Sequence, residues 1–162
     1  PVAVRNGECL ATRGKMHNAA TLAGMAFSQS GLGINHAIAH QLGGQFHLPH
    51  GLANALLLTA VIQFNAKDKR AARRYARLAK ACHFCPATAN EQVAVNALVR
   101  QIEQLKKQCN VPSLSGALKT PLHSFRERIP VMVEAALADA TLKTTPRPAD
   151  ASAIRCLLEE LL

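Results

Sequence analysis

The sequence has few aromatic residues and contains one long stretch without acidic residues. Its 162 residues include no Trp and one Tyr, and aromatic residues make up 4% of a chain that is 49% hydrophobic. Abundant alanine and leucine with so few aromatics favour closely packed helices over a β-sandwich or barrel. No Asp or Glu occurs between Glu8 and Asp68. That stretch therefore supplies no carboxylate to a metal site or a proton relay.

No signal-peptide pattern and no run long enough to span a membrane are visible in these residues. The chain begins at Pro1 with no charged segment followed by an apolar one, and we expect it to be a piece of a longer protein. The longest apolar run, residues 52–64, is interrupted by three polar residues and is too short to span a bilayer. It is typical of a buried helix, so no membrane partner is predicted. Five cysteines, an odd number, favour free thiols in a reducing compartment.

Helix-breaking residues divide the chain into helical blocks. Helices are predicted over about 11–28, 34–42, 49–64, 68–82, 88–109, 126–141 and 150–162. Gly43 and Gly44 end the second of these, and Asp150 is placed to cap the last. No alternating pattern typical of strands occurs. We predict an all-α helical bundle that forms one domain over residues 1–162.

A net charge of +9 raises the question of an anionic partner. Much of the charge lies in residues 67–80, where arginines mark one helix face and mostly alanines mark another. The arginines are Arg70, Arg73, Arg74 and Arg77, and the other face holds Ala72, Tyr75, Ala76 and Ala79. We predict a solvated helix face and no nucleic-acid partner. The alternative is a non-enzymatic basic helical module that binds nucleic acid or an acidic partner.

Histidine is concentrated in the segment "GLGINHAIAHQLGGQFHLPHG", residues 31–51, which holds four of the seven histidines. His36 and His40 are four residues apart and so share one helix face. This geometry fits a clamp for one metal ion, or one ligand beside a neighbour that handles protons. Histidines that line a helix junction and bond to backbone carbonyls are the simpler alternative. A zinc hydrolase is disfavoured because Ala37 stands where H-E-x-x-H requires glutamate.

Helix dipoles separate the roles of these histidines. His50 follows Pro49 at the predicted start of a helix, where the positive end of the dipole keeps imidazole neutral and able to bind a metal. His40 lies near the predicted end of its helix, where a protonated ring is tolerated. We therefore predict His50 and His36 as metal ligands and His40 as a proton carrier. Without a carboxylate the site is incomplete, so a further ligand must come from outside residues 9–67.

The segment "ATLAGMAFSQSGLGINHAIAHQLGGQFHLPHGLANALLL" resembles the C-terminal helical domain of the iron-containing (group III) alcohol dehydrogenases. The resemblance covers essentially the whole chain and is densest over residues 13–66. It implies Fe(II), with zinc as a substitute, held by an aspartate and three histidines, of which two match His36 and His50. The aspartate and the other histidine would precede Pro1. His40 matches a non-ligand histidine that lies beside the nicotinamide and relays the alcohol proton.

The resemblance further implies NAD(H)-dependent interconversion of a short-chain aldehyde and a primary alcohol, propanal and 1-propanol. Phe27 and Leu32 match positions that line the substrate pocket, although plain packing would also explain both. The N-terminal dinucleotide-binding domain is absent from these residues, and Gly31-Leu32-Gly33 is not a phosphate loop. We therefore expect the isolated chain to be inactive. A homodimer or higher homo-oligomer is implied, in the cytoplasm and associated with a bacterial microcompartment.

One further motif, "CHFC", places Cys82 and Cys85 in C-x-x-C spacing. A structural zinc site would need a second pair, and no thioredoxin-like βαβ pattern surrounds the motif. We predict incidental thiols at a helix end.

Overall fold

The computed structural model describes residues 1–162 and consists of helices joined by turns, without strands. The elements are α1 (Val2–Arg5), α2 (Leu10–Ser30), α3 (Ile34–Phe46), α4 (His50–Asn65), α5 (Lys69–Ala81), α6 (Glu91–Gln108), α7 (Leu114–Ala117), α8 (Leu122–Ala138), the 3-10 helix η1 (Ala140–Thr144) and α9 (Ala151–Glu159). The predicted all-α class is confirmed. None of these helices combines the length and the apolar character that a membrane crossing requires.

Helix α3 lies in the main hydrophobic core. Its residues Ile34, Ile38 and Leu42 repeat every four positions and are almost completely inaccessible to solvent. They belong to a cluster of 20 buried residues contributed largely by α3, α4, α8 and α9. The two histidines at positions 36 and 40 are therefore carried by a helix whose opposite side is fixed in the core.

The predicted end of α3 is wrong. The helix continues through Gly43 and Gly44 to Phe46, and His47 then ends it in the left-handed conformation with φ of 54°. Two interior glycines cost about 1 kcal/mol each relative to alanine. Packing offsets this cost, because the Phe46 ring lies 5.3 Å from the ring of the fully buried Phe125.

Helices α5 and α6 form a second, smaller core with one residue of α4. Its six buried members are Ile62, Ala76, Ala79, Ala94, Val95 and Leu98. Small side chains allow the helices to approach closely, and Asp68 and Asn90 cap α5 and α6 through their side chains. The four predicted arginines of α5 are all exposed. The predicted amphipathic helix with a solvated basic face is confirmed.

Helix α2 lies outside both cores. None of its 21 residues is buried, and Leu10, Leu22 and Met25 are each more than 60% exposed. Its role in the fold of this chain is to carry Phe27 to the turn that precedes α3.

The segment after α8 also departs from the prediction. Instead of one helix over about 126–141, α8 spans Leu122–Ala138 and the chain turns at Asp139, which has ψ of 129°. Asp139 then caps η1, a short element that the sequence pattern did not predict, as it also did not predict α1 and α7. This turn places an acidic side chain beside α3.

Candidate active site

Three imidazole rings converge where α3 meets the start of α4. The ring centroids of His36 and His50 are 5.2 Å apart, those of His40 and His50 are 5.8 Å apart, and those of His36 and His40 are 6.0 Å apart. The left-handed residue His47 and the buried Leu48 form the turn that brings α4 back to α3. The predicted approach of His36 and His50 is confirmed as geometry. Their role as metal ligands stays a prediction.

His36 is held in the neutral form that a metal requires. Its Nδ1 atom is buried and has no hydrogen-bond partner. Burial, followed by the neighbouring His50 and His40, lowers the pKa of His36 below its ordinary value, with Asp139 opposing the shift. A half-buried imidazole that favours its neutral form fits a ligand to a borderline metal such as Fe(II) or Zn²⁺.

His50 is the first residue of α4, as predicted, and it is oriented by Asn54 and Asn35, which we did not predict as site residues. The side-chain amide of Asn54 lies 3.2 Å from His50 Nε2 and also donates to the His50 carbonyl oxygen. Asn35 Nδ2 donates to Asn54 Oδ1 at 2.7 Å. Asn54 is one helical turn after His50, so its position on the same face was visible in the sequence.

His40 has an acidic partner. Its Nδ1 atom lies 2.8 Å from Asp139 Oδ2, and Asp139 Oδ1 accepts hydrogen bonds from the backbone N–H and the hydroxyl of Thr141. Burial alone would raise the pKa of Asp139, but the hydrogen bonds from His40 and Thr141 outweigh it and lower that pKa. The dipole argument for His40 is wrong, because α3 continues six residues beyond it. The contact with Asp139 is what distinguishes His40 from His36 and His50.

The turn between α2 and α3 holds the Asp139 segment in place. Gly33 N–H donates to the Thr141 carbonyl oxygen at 3.0 Å and lies 3.2 Å from Thr144 Oγ1. At Gly31, φ is 77° and a Cβ would overlap the Thr144 side chain. The turn formed by residues 31–33 therefore packs against η1, and the bare backbone at Gly31 leaves room for the Thr144 side chain.

Of the two predicted substrate-binding residues, Phe27 lies beside the histidine cluster. The Phe27 ring lies 6.5 Å from the His36 ring and is 44% exposed. Leu32 is half-buried in the turn between α2 and α3. Contact of either side chain with substrate stays a prediction.

These residues do not complete a metal site. No group of three or more His, Cys, Asp or Glu side chains has an arrangement that could hold a metal ion. The chain contributes two imidazoles close enough to share one ion at nitrogen–metal distances of about 2 Å. The source of any further ligand, expected outside residues 9–67, stays a prediction.

The other motifs lie outside the cluster. His47 caps α3, and His17 and His83 are exposed. Cys82 and Cys85 are free thiols, with Cys82 at the C-terminal end of α5.

The entire chain, residues 1–162, matches the family described as "Fe-containing alcohol dehydrogenase family, C-terminal". The chain belongs to the iron-containing alcohol dehydrogenase family. It is similar to the 1-propanol dehydrogenase PduQ of Citrobacter freundii, with 74% identity over 162 residues that span all of this chain and 44% of that protein. It is 36% identical over 147 residues to the NADPH-dependent butanol dehydrogenase of Clostridium saccharobutylicum, covering 91% of this chain and 37% of that protein.

A solved crystal structure of another protein has the same fold as this chain. The crystal structure of a 1,3-propanediol oxidoreductase superposes with a TM-score of 0.88 at 31% identity, covering 99% of this chain and 40% of that one. The chain thus spans less than half the length of the relatives that it matches.

Proposed function

We propose that this chain is the C-terminal, metal-binding part of an NAD(H)-dependent alcohol dehydrogenase that interconverts propanal and 1-propanol. The observation that carries the proposal is the convergence of three histidine rings at the junction of α3 and α4. Family membership and 74% identity to a 1-propanol dehydrogenase support the reaction and the substrate.

His36 and His50 are the residues that would hold the iron, Fe(II), with zinc as a possible substitute. They share one junction, and His36 is kept neutral by burial. When bound, the metal supplies Lewis-acid polarisation of the aldehyde carbonyl group. The remaining ligands would come from a preceding part of the polypeptide, which would also contain the dinucleotide-binding domain.

His40 is the candidate for moving the proton at the reacting oxygen and for contacting the nicotinamide. Its ring lies beside both proposed ligands, and Asp139 holds its Nδ1 side. Phe27 and Leu32 would form the apolar wall that excludes water and favours a short alkyl chain. We further propose that the enzyme is a homo-oligomer in the cytoplasm, in association with a bacterial microcompartment.

The decisive experiment compares His50→Ala with His40→Ala in the complete enzyme that carries this chain. Loss of a ligand removes the metal and abolishes propanal reduction with NADH. Loss of a proton relay keeps the metal and slows the reaction by about 10²–10⁴-fold. Bound iron and turnover are measured for each variant. His47→Asn is the matched control. His47 lies in the turn between α3 and α4, close to His50 in sequence, and asparagine tolerates its left-handed conformation.

If His40→Ala loses iron as completely as His50→Ala, the division of roles is wrong and His36 with His40 form the metal clamp. A wild-type enzyme that turns over no short aldehyde with NADH or NADPH contradicts the proposed activity itself.

The isolated 162-residue chain is expected to be inactive at any added iron concentration. It brings together two proposed ligands, and no set of three. Turnover of propanal above a buffer control by this chain alone contradicts the proposal that a further domain is required.

A further inference from the structure

The carboxylate beside His40 is not itself a proposed metal ligand, proton carrier or substrate contact. Asp139 lies 99 residues from His40 in sequence, and its side chain is only 15% exposed. We propose that Asp139 is a positioning residue that fixes the tautomer and orientation of His40, and that the turn formed by residues 31–33 fixes Asp139. This inference rests on the proposed role of His40 in proton transfer.

The hydrogen bonds of Asp139 define the tautomer. An ionised carboxylate only accepts hydrogen bonds, so His40 Nδ1 must carry the proton in the 2.8 Å contact with Asp139 Oδ2. When the ring is neutral, protonation at Nδ1 leaves a free lone pair on Nε2. The other oxygen, Oδ1, is already bound by the N–H and the hydroxyl of Thr141 at 2.8 and 2.7 Å. Asp139 therefore cannot rotate without breaking bonds at both oxygens.

The backbone fixes the carboxylate in turn. The N–H of Gly33 donates to the carbonyl oxygen of Thr141, which ties η1 to the first turn of α3. His40 lies on that same helix, so donor and acceptor are connected through one rigid element. The absence of a side chain at Gly31 allows this close approach, because a Cβ there would overlap Thr144.

Asp139→Asn tests the idea with almost no change in shape. The Thr141 N–H still requires an oxygen at the Oδ1 position, so the amide NH₂ of asparagine must face His40 Nδ1. Asparagine also remains a good N-cap for η1. The variant therefore forces the proton of His40 onto Nε2 and leaves the local fold intact.

In the complete enzyme, Asp139→Asn should lower kcat for propanal reduction by about 10–100-fold while bound iron stays at the wild-type level. Glu134→Gln is the matched control, because Glu134 is an exposed carboxylate on α8, the helix that ends just before Asp139. In a His40→Ala background, Asp139→Asn should cause no further loss, since Asp139 acts only through His40.

A second readout does not depend on activity. Imidazole ¹⁵N spectra of the complete enzyme should show His40 protonated at Nδ1 in the wild type and at Nε2 in Asp139→Asn. An unchanged His40 spectrum, wild-type kcat in Asp139→Asn, or an equal loss of activity in the His40→Ala background would each overturn the inference. If the wild-type enzyme does not reduce propanal, the proposed function fails, and the inference fails with it as a statement about catalysis.

Discussion

Gly31→Ala is expected to destabilise the chain more than any other glycine-to-alanine change in the turn between α2 and α3. Gly31 has φ of 77° and ψ of 177°, a backbone region that is open essentially to glycine alone. A Cβ at this position would also overlap the side chain of Thr144. Gly33 shares the backbone region, with φ of 77° and ψ of −170°. A Cβ there meets only Thr145, at an ordinary contact distance of 3.6 Å.

The difference between the two positions sets how far each alanine variant should lower the free energy of unfolding. Adopting this backbone region costs alanine about 1–3 kcal/mol, and the stiffer unfolded chain returns about 0.4–1 kcal/mol. Gly33→Ala should therefore lower the free energy of unfolding by about 1–2 kcal/mol. Gly31→Ala adds a steric overlap and should lower it by about 2–4 kcal/mol.

Gly44→Ala provides a control of opposite sign. Gly44 lies inside α3 with open space around its missing Cβ, so alanine should raise the free energy of unfolding by about 0.5–1 kcal/mol. Urea denaturation followed by far-ultraviolet circular dichroism measures all three variants. If Gly31→Ala is as stable as the wild type, the turn does not pack against η1 in the way described.

Three further outcomes follow from single contacts. Phe125→Ala should lower the free energy of unfolding by about 3–5 kcal/mol in urea denaturation, because the side chain is fully buried. Asp150→Ala should cost about 1 kcal/mol in the same assay, since it removes the 2.8 Å hydrogen bond that caps α9. Burial opposes ionisation of Glu103, but hydrogen bonds from Thr59 and Lys106 outweigh it and lower the pKa of Glu103. The resulting stabilisation is complete above the ordinary glutamate pKa of about 4.3. It is lost as the pH falls through the lower folded-state pKa, so Glu103→Gln should be less stable than the wild type at pH 7 and approach it at pH 3.

Local signals in the sequence predicted most of the helices. The periodic burial of α3 and α4, the two-faced pattern of α5 and the cap at Asp150 all depend on neighbours within a few residues, and each is present in the structure. The end of α3 was mispredicted because local glycine propensity was outweighed by a tertiary contact, the packing of Phe46 on Phe125.

The candidate site was likewise predictable from the sequence only where it depends on residues close together in the chain. His36, His40 and His50 lie within fifteen residues, so their spacing was enough to predict that they meet. Asp139 could not be predicted as the partner of His40, because that contact depends on how α8 and η1 pack against α3 across 99 residues of sequence. Asn54 could have been found, since it follows His50 by one helical turn.

The three histidines are chemically identical side chains, and their neighbours are what make them different. His36 is kept neutral by burial, His50 lies at a helix N-terminus beside an asparagine amide, and His40 contacts a carboxylate. Burial favours a ring that keeps a free lone pair, as at His36. Spacing alone allows a clamp by His36 and His40. The neighbours support our proposal that His36 and His50 are the ligands and that His40 transfers the proton.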